Sequence, residues 1–266
     1  MSGGQWPRLV APVLDLLFPP RCETCAQLGR PPLCAECQAQ IVFGLPPYCR
    51  LCGTLLPATA APGLCGDCRQ ERRYYDAARS VGVHCGPLRR AILQYKFNNR
   101  RALAGPLAEL LATRLREEPT FPSPLPVSRL DCLVPIPLHV SRRRWRGFDQ
   151  ALQLCQRLSP LLGLPLEARA LVRVRATRPQ VQLSPRERHQ NMRGAFAVQG
   201  DRLRGRRVLL VDDVYTTGAT ANCAAQACRL GGAAEVYVLT LSRPAPAWHP
   251  AALVLAPDEE EQRAGN

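Results

Sequence analysis

Four consecutive apolar residues, Val208-Leu209-Leu210-Val211, run straight into two carboxylates, Asp212 and Asp213. An apolar run with β-branched ends suits a parallel strand buried on both faces, and it commits the surrounding chain to an α/β sheet covered by helices. Adjacent carboxylates at the end of such a strand are costly unless they are paired or used. After them come Val214-Tyr215-Thr216-Thr217-Gly218-Ala219-Thr220, a helical run from about Ala219 to Leu230, Gly231-Gly232 and a second apolar strand reaching Arg243. In open α/β sheets ligands sit beyond the carboxyl ends of the strands, where helix N-termini offer free N–H groups to anions. The loop Thr216, Thr217, Gly218, Ala219 and Thr220 can wrap a phosphate with amides and hydroxyls, while Asp212 and Asp213 can accept hydrogen bonds from a sugar diol or hold a hydrated divalent cation. Together they imply a ligand carrying both a diol and a phosphate. The alternative, an ordinary buried strand and turn, leaves the two charges unexplained.

The first eight of the chain's 13 cysteines form four CxxC knuckles: Cys22/Cys25, Cys34/Cys37, Cys49/Cys52 and Cys65/Cys68. A CxxC turn delivers two thiolates to one metal and two knuckles complete a tetrahedron, so four knuckles make two closed four-cysteine zinc sites. Disulfides are the competing reading, but strictly paired CxxC is the metal pattern of a reducing compartment. Consecutive pairing of the knuckles is expected, with crosswise pairing open. The Pro, Gly and short polar stretches around them build little core, so metal would supply folding energy. Each filled site carries about −2, so this module is no strong electrostatic binder of nucleic acid on its own, and a docking role, on a partner or on the second domain, fits as well as DNA binding.

Charge points the other way downstream. Of the net +14, only +1 falls between Met1 and Asp76 and +13 lies beyond, so any attraction for polyanions belongs to the second part. The 266 residues suffice for one or two domains. No stretch has the roughly 18 consecutive apolar residues of a membrane helix. Leu9–Phe18 is apolar but broken by Pro12 and Asp15, and it lacks a basic leader and a small-residue cleavage site, so a cytoplasmic protein is expected.

Between the two features, Gln70–Ala78 is polar and marks a boundary, and Ala78–His84 can form an edge strand. Pro87 opens a helix with Leu88, Ile92 and Tyr95 on one face, and a second amphipathic helix carries Leu103, Leu107, Leu110, Leu111 and Leu115. Lys96 is the only lysine in a chain that uses arginine everywhere else, and a compact ammonium suits a specific phosphate or carboxylate contact. Leu130–Leu138 reads as a strand ended by two prolines. The loop expected after it holds Arg142, Arg143, Arg144 and Arg146, which could grip a diphosphate, interleaved with Trp145 and Phe148, which could stack bases or pack inward. Cys85, Cys132, Cys155, Cys223 and Cys228 lack pair spacing and read as small core residues, and the four histidines do not cluster. From Asp258 onward the chain reads as a disordered acidic tail.

The strand–acid pair–loop closely resembles the PRPP-binding motif of type I phosphoribosyltransferases, in which the two acids contact ribose hydroxyls and the Thr-rich loop holds the 5-phosphate. A narrower resemblance is to the ComF/GntX family, which joins an amino-terminal zinc ribbon to a phosphoribosyltransferase domain. It is carried by the proline-ended strand with Arg146-Gly147-Phe148-Asp149-Gln150, by Lys96-Phe97, Thr177-Arg178-Pro179-Gln180, Leu183-Ser184, Arg186, Arg188, Asn191 and Gly194-Ala195-Phe196, and by the cysteine knuckles, over about residues 10 to 243. Asp149 departs from it, because the family usually has Asn there.

The resemblance implies an α/β, Rossmann-like, mostly parallel sheet flanked by helices, with a zinc-ribbon module in front. The expected division is 1–76, 77–248 and a tail at 249–266. It also implies Mg2+ with PRPP, and a mobile segment around Gln180, Arg186 and Arg188 that closes over the diphosphate to keep water from the reacting carbon. Three functions follow: a PRPP-binding protein of DNA uptake that meets nucleotides or single-stranded DNA, an active phosphoribosyltransferase or PRPP hydrolase of nucleotide metabolism, or a zinc-organised scaffold with a vestigial site.

Overall fold

The computed structural model describes residues 19–44, 47–61, 63–117, 125, 127–175 and 194–252. Its centre is a four-stranded, all-parallel sheet in the order β1-β6-β5-β2, with β1 at Ala77–Val83, β2 at Cys132–Pro135, β5 at Arg207–Val214 and β6 at Glu235–Arg243. A separate antiparallel pair joins β3, Leu171–Arg173, to β4, Phe196–Val198. The acid-ended run therefore occupies an interior strand, and Val208, Leu209, Leu210 and Val211 are wholly buried.

Helices cover both faces, as parallel strands demand. On one side lie α3, Gly86–Phe97, opened by Pro87, then α4, Ala104–Glu117, and α6, Gln150–Leu162. Leu88, Ile92, Tyr95, Leu107, Leu111 and Leu154 from these helices form one core with Leu209, Val211 and Leu239 of the sheet. On the other side α7, Ala219–Leu230, and the β3–β4 pair bury Ala224, Ala225, Leu171 and Phe196 against Val208, Leu210, Val236 and Val238. The period of two along β5 sorts its side chains between the two cores.

The cysteine module is built into both. Two short helices, α1 at Ala35–Ala39 and α2 at Gly66–Gln70, each carry the second cysteine of a knuckle. Cys22, Cys34 and Cys37 belong to the α3/α4 core, while Cys49, Cys52 and Cys68 belong to the α7 core. Between them the module lies along β1. The Ala78 N–H donates to the Leu51 carbonyl at 2.7 Å, and the Val83 N–H donates to the Val42 carbonyl at 2.8 Å. Gly82 permits this approach, because a Cβ there would stand 2.7 Å from the Val42 oxygen. Edge strands left bare invite foreign strands, and this one is covered from within. Docking on the chain's own second domain is one of the three roles that the sequence leaves open for the module.

Leu209 tests the packing most directly. Replacing this fully buried side chain by alanine is expected to cost roughly 2–5 kcal/mol, read from urea unfolding at fixed zinc concentration. A loss below about 1 kcal/mol would mean that this face of β5 is not packed as described.

Candidate functional site

The site forms where β5 outlasts β2. Pro135 pairs with Val211, and the Ile136 N–H donates to the Val211 carbonyl at 2.9 Å, so β2 leaves the sheet just as β5 presents Asp212 and Asp213. Asp213 is buried, and its Oδ1 lies 2.9 Å from Lys96 Nζ, with the two side chains 12% and 16% exposed. The one lysine thus meets a carboxylate of the acid pair, delivered by the last turn of α3. Asp212 Oδ1 accepts the Asp213 N–H at 2.8 Å. Asp212 keeps some solvent contact, yet burial of its carboxyl and the neighbouring Asp213 charge push it up to about 8, against the opposing pull of Lys96.

The loop that follows is shaped for an anion. Gly218 caps α7 at φ +78°, and a Cβ there would run into the Tyr215 ring, so both conformation and space require glycine. No side chain caps the helix, and its first-turn N–H groups have no acceptor within the helix. Thr217 Oγ1 accepts the Ala219 N–H at a long 3.4 Å. Thr216 is exposed, with Thr217 and Thr220 half-buried. First-turn N–H groups, the Thr216 and Thr217 hydroxyls and the positive end of a twelve-residue helix lie together at this loop.

Behind the acids runs a polar row on β6 that the sequence did not disclose. Thr240, paired in register with Asp212, meets Ser80 hydroxyl to hydroxyl at 2.7 Å, and Ser242 meets His84 Nδ1 at 2.7 Å. Burial, then the charges of Lys96 and Arg89, push the His84 imidazole down to about 3, so it stays neutral at physiological pH. His84 belongs beside the site although no local pattern marks it.

After β2 the expected loop is largely a short helix, α5, Val140–Arg146, closed by Gly147 at φ +75°. Its arginines divide. Arg143 and Arg144 are exposed, whereas Arg146 bonds Gln150 Oε1 at 3.1 Å and lies 5.0 Å over the Phe97 ring. The Arg142 side chain lies outside the described residues. The two aromatics divide as well. Trp145 is 61% exposed, and Phe148 is buried edge-on against Tyr95. Gln180, Arg186 and Arg188 also lie outside the described residues.

The cysteines settle into two groups by consecutive pairing, Cys22/Cys25/Cys34/Cys37 and Cys49/Cys52/Cys65/Cys68, with the sulfurs of each group within 4.8 Å of one another. The spacings of 3.8 Å for Cys22–Cys37, 3.8 Å for Cys25–Cys34 and 3.6 Å for Cys52–Cys65 match the edge of roughly 3.8 Å of a tetrahedron built on Zn–S bonds of about 2.3 Å. None of the 13 cysteines is in a disulfide. Cys85, Cys132, Cys155 and Cys228 are buried as core residues, with Cys223 partly exposed. No helix among the described residues is long and apolar enough to cross a membrane.

Residues 13–71 match the family model for a double zinc ribbon domain. The chain is 35% identical to competence protein F of Haemophilus influenzae, over 84% of this chain and 96% of that protein. It is 36% identical to the DNA utilization protein YhgH of Escherichia coli K12, over 86% and 99% of the two chains. This chain belongs to the ComF/GntX family. Competence protein ComFC of Bacillus subtilis is a more distant relative, 28% identical over 79% of this chain and 84% of its own length. Among solved structures, the glutamine PRPP amidotransferase of B. subtilis aligns with 56% of this chain and 30% of its own, at 20% identity and a TM-score of 0.38, too low to bear on the ligand.

Asp149, the departure from the ComF/GntX pattern, ties two elements together. Its Oδ1 accepts the Leu152 N–H at 3.1 Å as the N-cap of α6, and its Oδ2 accepts the Leu138 N–H at 3.2 Å, tying the proline loop to that helix. Both roles are those of an acceptor, which a carboxylate fills with two oxygens and an amide with one. Asp149→Ala is therefore expected to cost roughly 2–3 kcal/mol and Asp149→Asn about 1 kcal/mol in urea unfolding. Equal losses would contradict this division of labour.

Proposed function

We propose that the acid pair and the Thr216–Thr220 loop bind PRPP or a related ribose 5-phosphate, and that the protein acts in the cytoplasm in the handling of DNA that enters the cell. One observation carries the ligand: two acids, one braced by Lys96, stand beside an uncapped helix N-terminus whose glycine admits no side chain. The loop would take the 5-phosphate, and Asp212 and Asp213 the ribose hydroxyls. The carboxylate pair also suits a hydrated Mg2+, which would balance the diphosphate charge. The DNA role is supported by the names of relatives that this chain matches over most of its length, and by the exposed Arg143, Arg144 and Trp145 on α5. In this reading arginines track the phosphates of a single strand while the indole stacks a base.

Calorimetry with PRPP and Mg2+ tests the ligand. Wild type is expected to bind, and Asp212→Asn with Asp213→Asn to weaken binding by at least ~100-fold, as loss of two charge-assisted bonds implies. Absence of binding by wild type would sink the proposal. Diphosphate release on adding a nucleobase would identify a transferase, and release without one a hydrolase.

Proton release gives an independent reading. Asp212 must be ionised to hold a diol or a hydrated cation, yet its carboxyl sits at about 8 rather than 3.8. Binding at neutral pH should expel a proton, so affinity should climb between roughly pH 6 and pH 8 and level off above. Heats that do not vary among buffers of different ionisation enthalpy would argue that Asp212 is not the ligand's partner.

For DNA, replacing Arg143 and Arg144 by alanine is expected to flatten the dependence of log K on log[salt] for an oligothymidylate by about 1.4, at roughly 0.7 per phosphate contact. An unchanged slope would remove α5 from the DNA surface.

A further inference from the structure

The second zinc site stands directly behind the anion loop, and buried polar contacts connect the two. Arg243, the last residue of β6, is 7% exposed and turns its guanidinium toward the Cys49/Cys52 knuckle. Nη1 donates to the Cys52 carbonyl at 2.5 Å and Nη2 to Thr54 Oγ1 at 2.6 Å, and that hydroxyl lies 3.2 Å from the Cys52 sulfur. The same guanidinium covers the Tyr215 ring at 4.7 Å. Tyr215 is 4% exposed, and its hydroxyl meets that of the equally buried Tyr75 at 2.6 Å. Against its ring closes Gly218, with no room for a Cβ between them. Tyr75, Tyr215 and Ala219 share one packed cluster with Cys49, Cys52 and Cys68.

We infer that Arg243 and Tyr215 are positioning residues that couple the second zinc centre to the anion loop, so that zinc on Cys49, Cys52, Cys65 and Cys68 and a phosphate at Thr216–Thr220 stabilise one another. The phosphate half of this statement rests on the reading of the loop given above. Four thiolates within 4.8 Å keep their arrangement only around a cation. Without it the knuckle relaxes, the Cys52 carbonyl leaves Arg243, and the guanidinium no longer pins the ring on which Gly218 is seated. The first cysteine group lies on the other face of the sheet, packed with α3, and has no part in this chain of contacts. Coupling between two sites is reciprocal, so each ligand should slow the loss of the other.

Hydrogen exchange in the ligand-free protein tests the coupling without assuming any ligand. In Arg243→Gln carrying two zinc per chain, amides of residues 215–221 are expected to exchange at least ~10-fold faster, with residues 22–37 unchanged. Tyr215→Phe, which removes the hydroxyl that bonds Tyr75 and stands against Gly218 but keeps the ring under Arg243, should give a smaller acceleration, and it decides the matter if Arg243→Gln fails to fold or to hold zinc. Loop exchange at the wild-type rate in zinc-loaded variants would overturn the inference. In a second arm, ribose 5-phosphate should slow release of one of the two zinc ions to a chromogenic chelator in wild type and not in Arg243→Gln. If the loop responds to the substitutions but ribose 5-phosphate does not bind, the phosphate reading falls and the mechanical link stands. If ribose 5-phosphate binds and neither zinc release nor loop exchange responds, the link falls and the phosphate reading stands.

Discussion

An ammonium 2.9 Å from a buried carboxylate is what allows the apolar run of β5 to lead into two acids. Without Lys96, Asp213 would be a desolvated charge at the sheet's carboxyl end, a cost that folding removes by pairing or protonation. Lys96 is itself held, because the preceding residue, Tyr95, is buried and donates to the Gln150 carbonyl at 3.1 Å, which locks α3 to α6. The pair also sets the field that a ligand meets. Two ionised carboxylates alone would repel any anion. With Lys96 against one acid and the other pushed up to about 8, the positive end of α7 dominates the approach.

The zinc module is less an appendage than the missing part of a small sheet. Four parallel strands leave β1 with one free side, and backbone from Val42 and Leu51 takes it. Each four-cysteine group then fills a different core, one beneath α3, the other beneath the anion loop. Metal binding in such a chain contributes to the stability of the sheet domain as well as to that of the ribbon.

What was legible in the sequence was whatever is local. The β5 run, the acids, the loop and α7 are contiguous, and the expected helix from Ala219 to Leu230 is the one observed. CxxC spacing announced two metal sites but could not order the knuckles, because pairing depends on where β1 carries the chain between them. Composition alone singled out Lys96 as a contact for phosphate or carboxylate, and the fold supplies the carboxylate from a strand far along the chain. His84, Arg243 and Tyr75 carried no signal, since each acquires its role only when β1, β6 and the ribbon are assembled. The helix α5 was missed because His139–Arg146 shows no apolar period; it is a single positively charged segment ended by a left-handed glycine.

The same distinction bears on the arginine excess. A net charge of +14 suggests a surface made for polyanions, but several arginines behind that number are spent inside the molecule. Arg79 and Arg243, both nearly inaccessible, donate to backbone carbonyls of the zinc module, and Arg146 is stacked on Phe97 and bonded to Gln150. Buried guanidiniums act as multidentate braces for carbonyls, a task that their planar fork suits and a lysine does not. Exposed guanidiniums remain on elements such as α5, where Arg143 and Arg144 immediately precede the exposed Trp145. Charge counted along a sequence therefore overstates the charge presented at the surface. The fraction that can act is set by which arginines the zinc module and the helix contacts have already claimed.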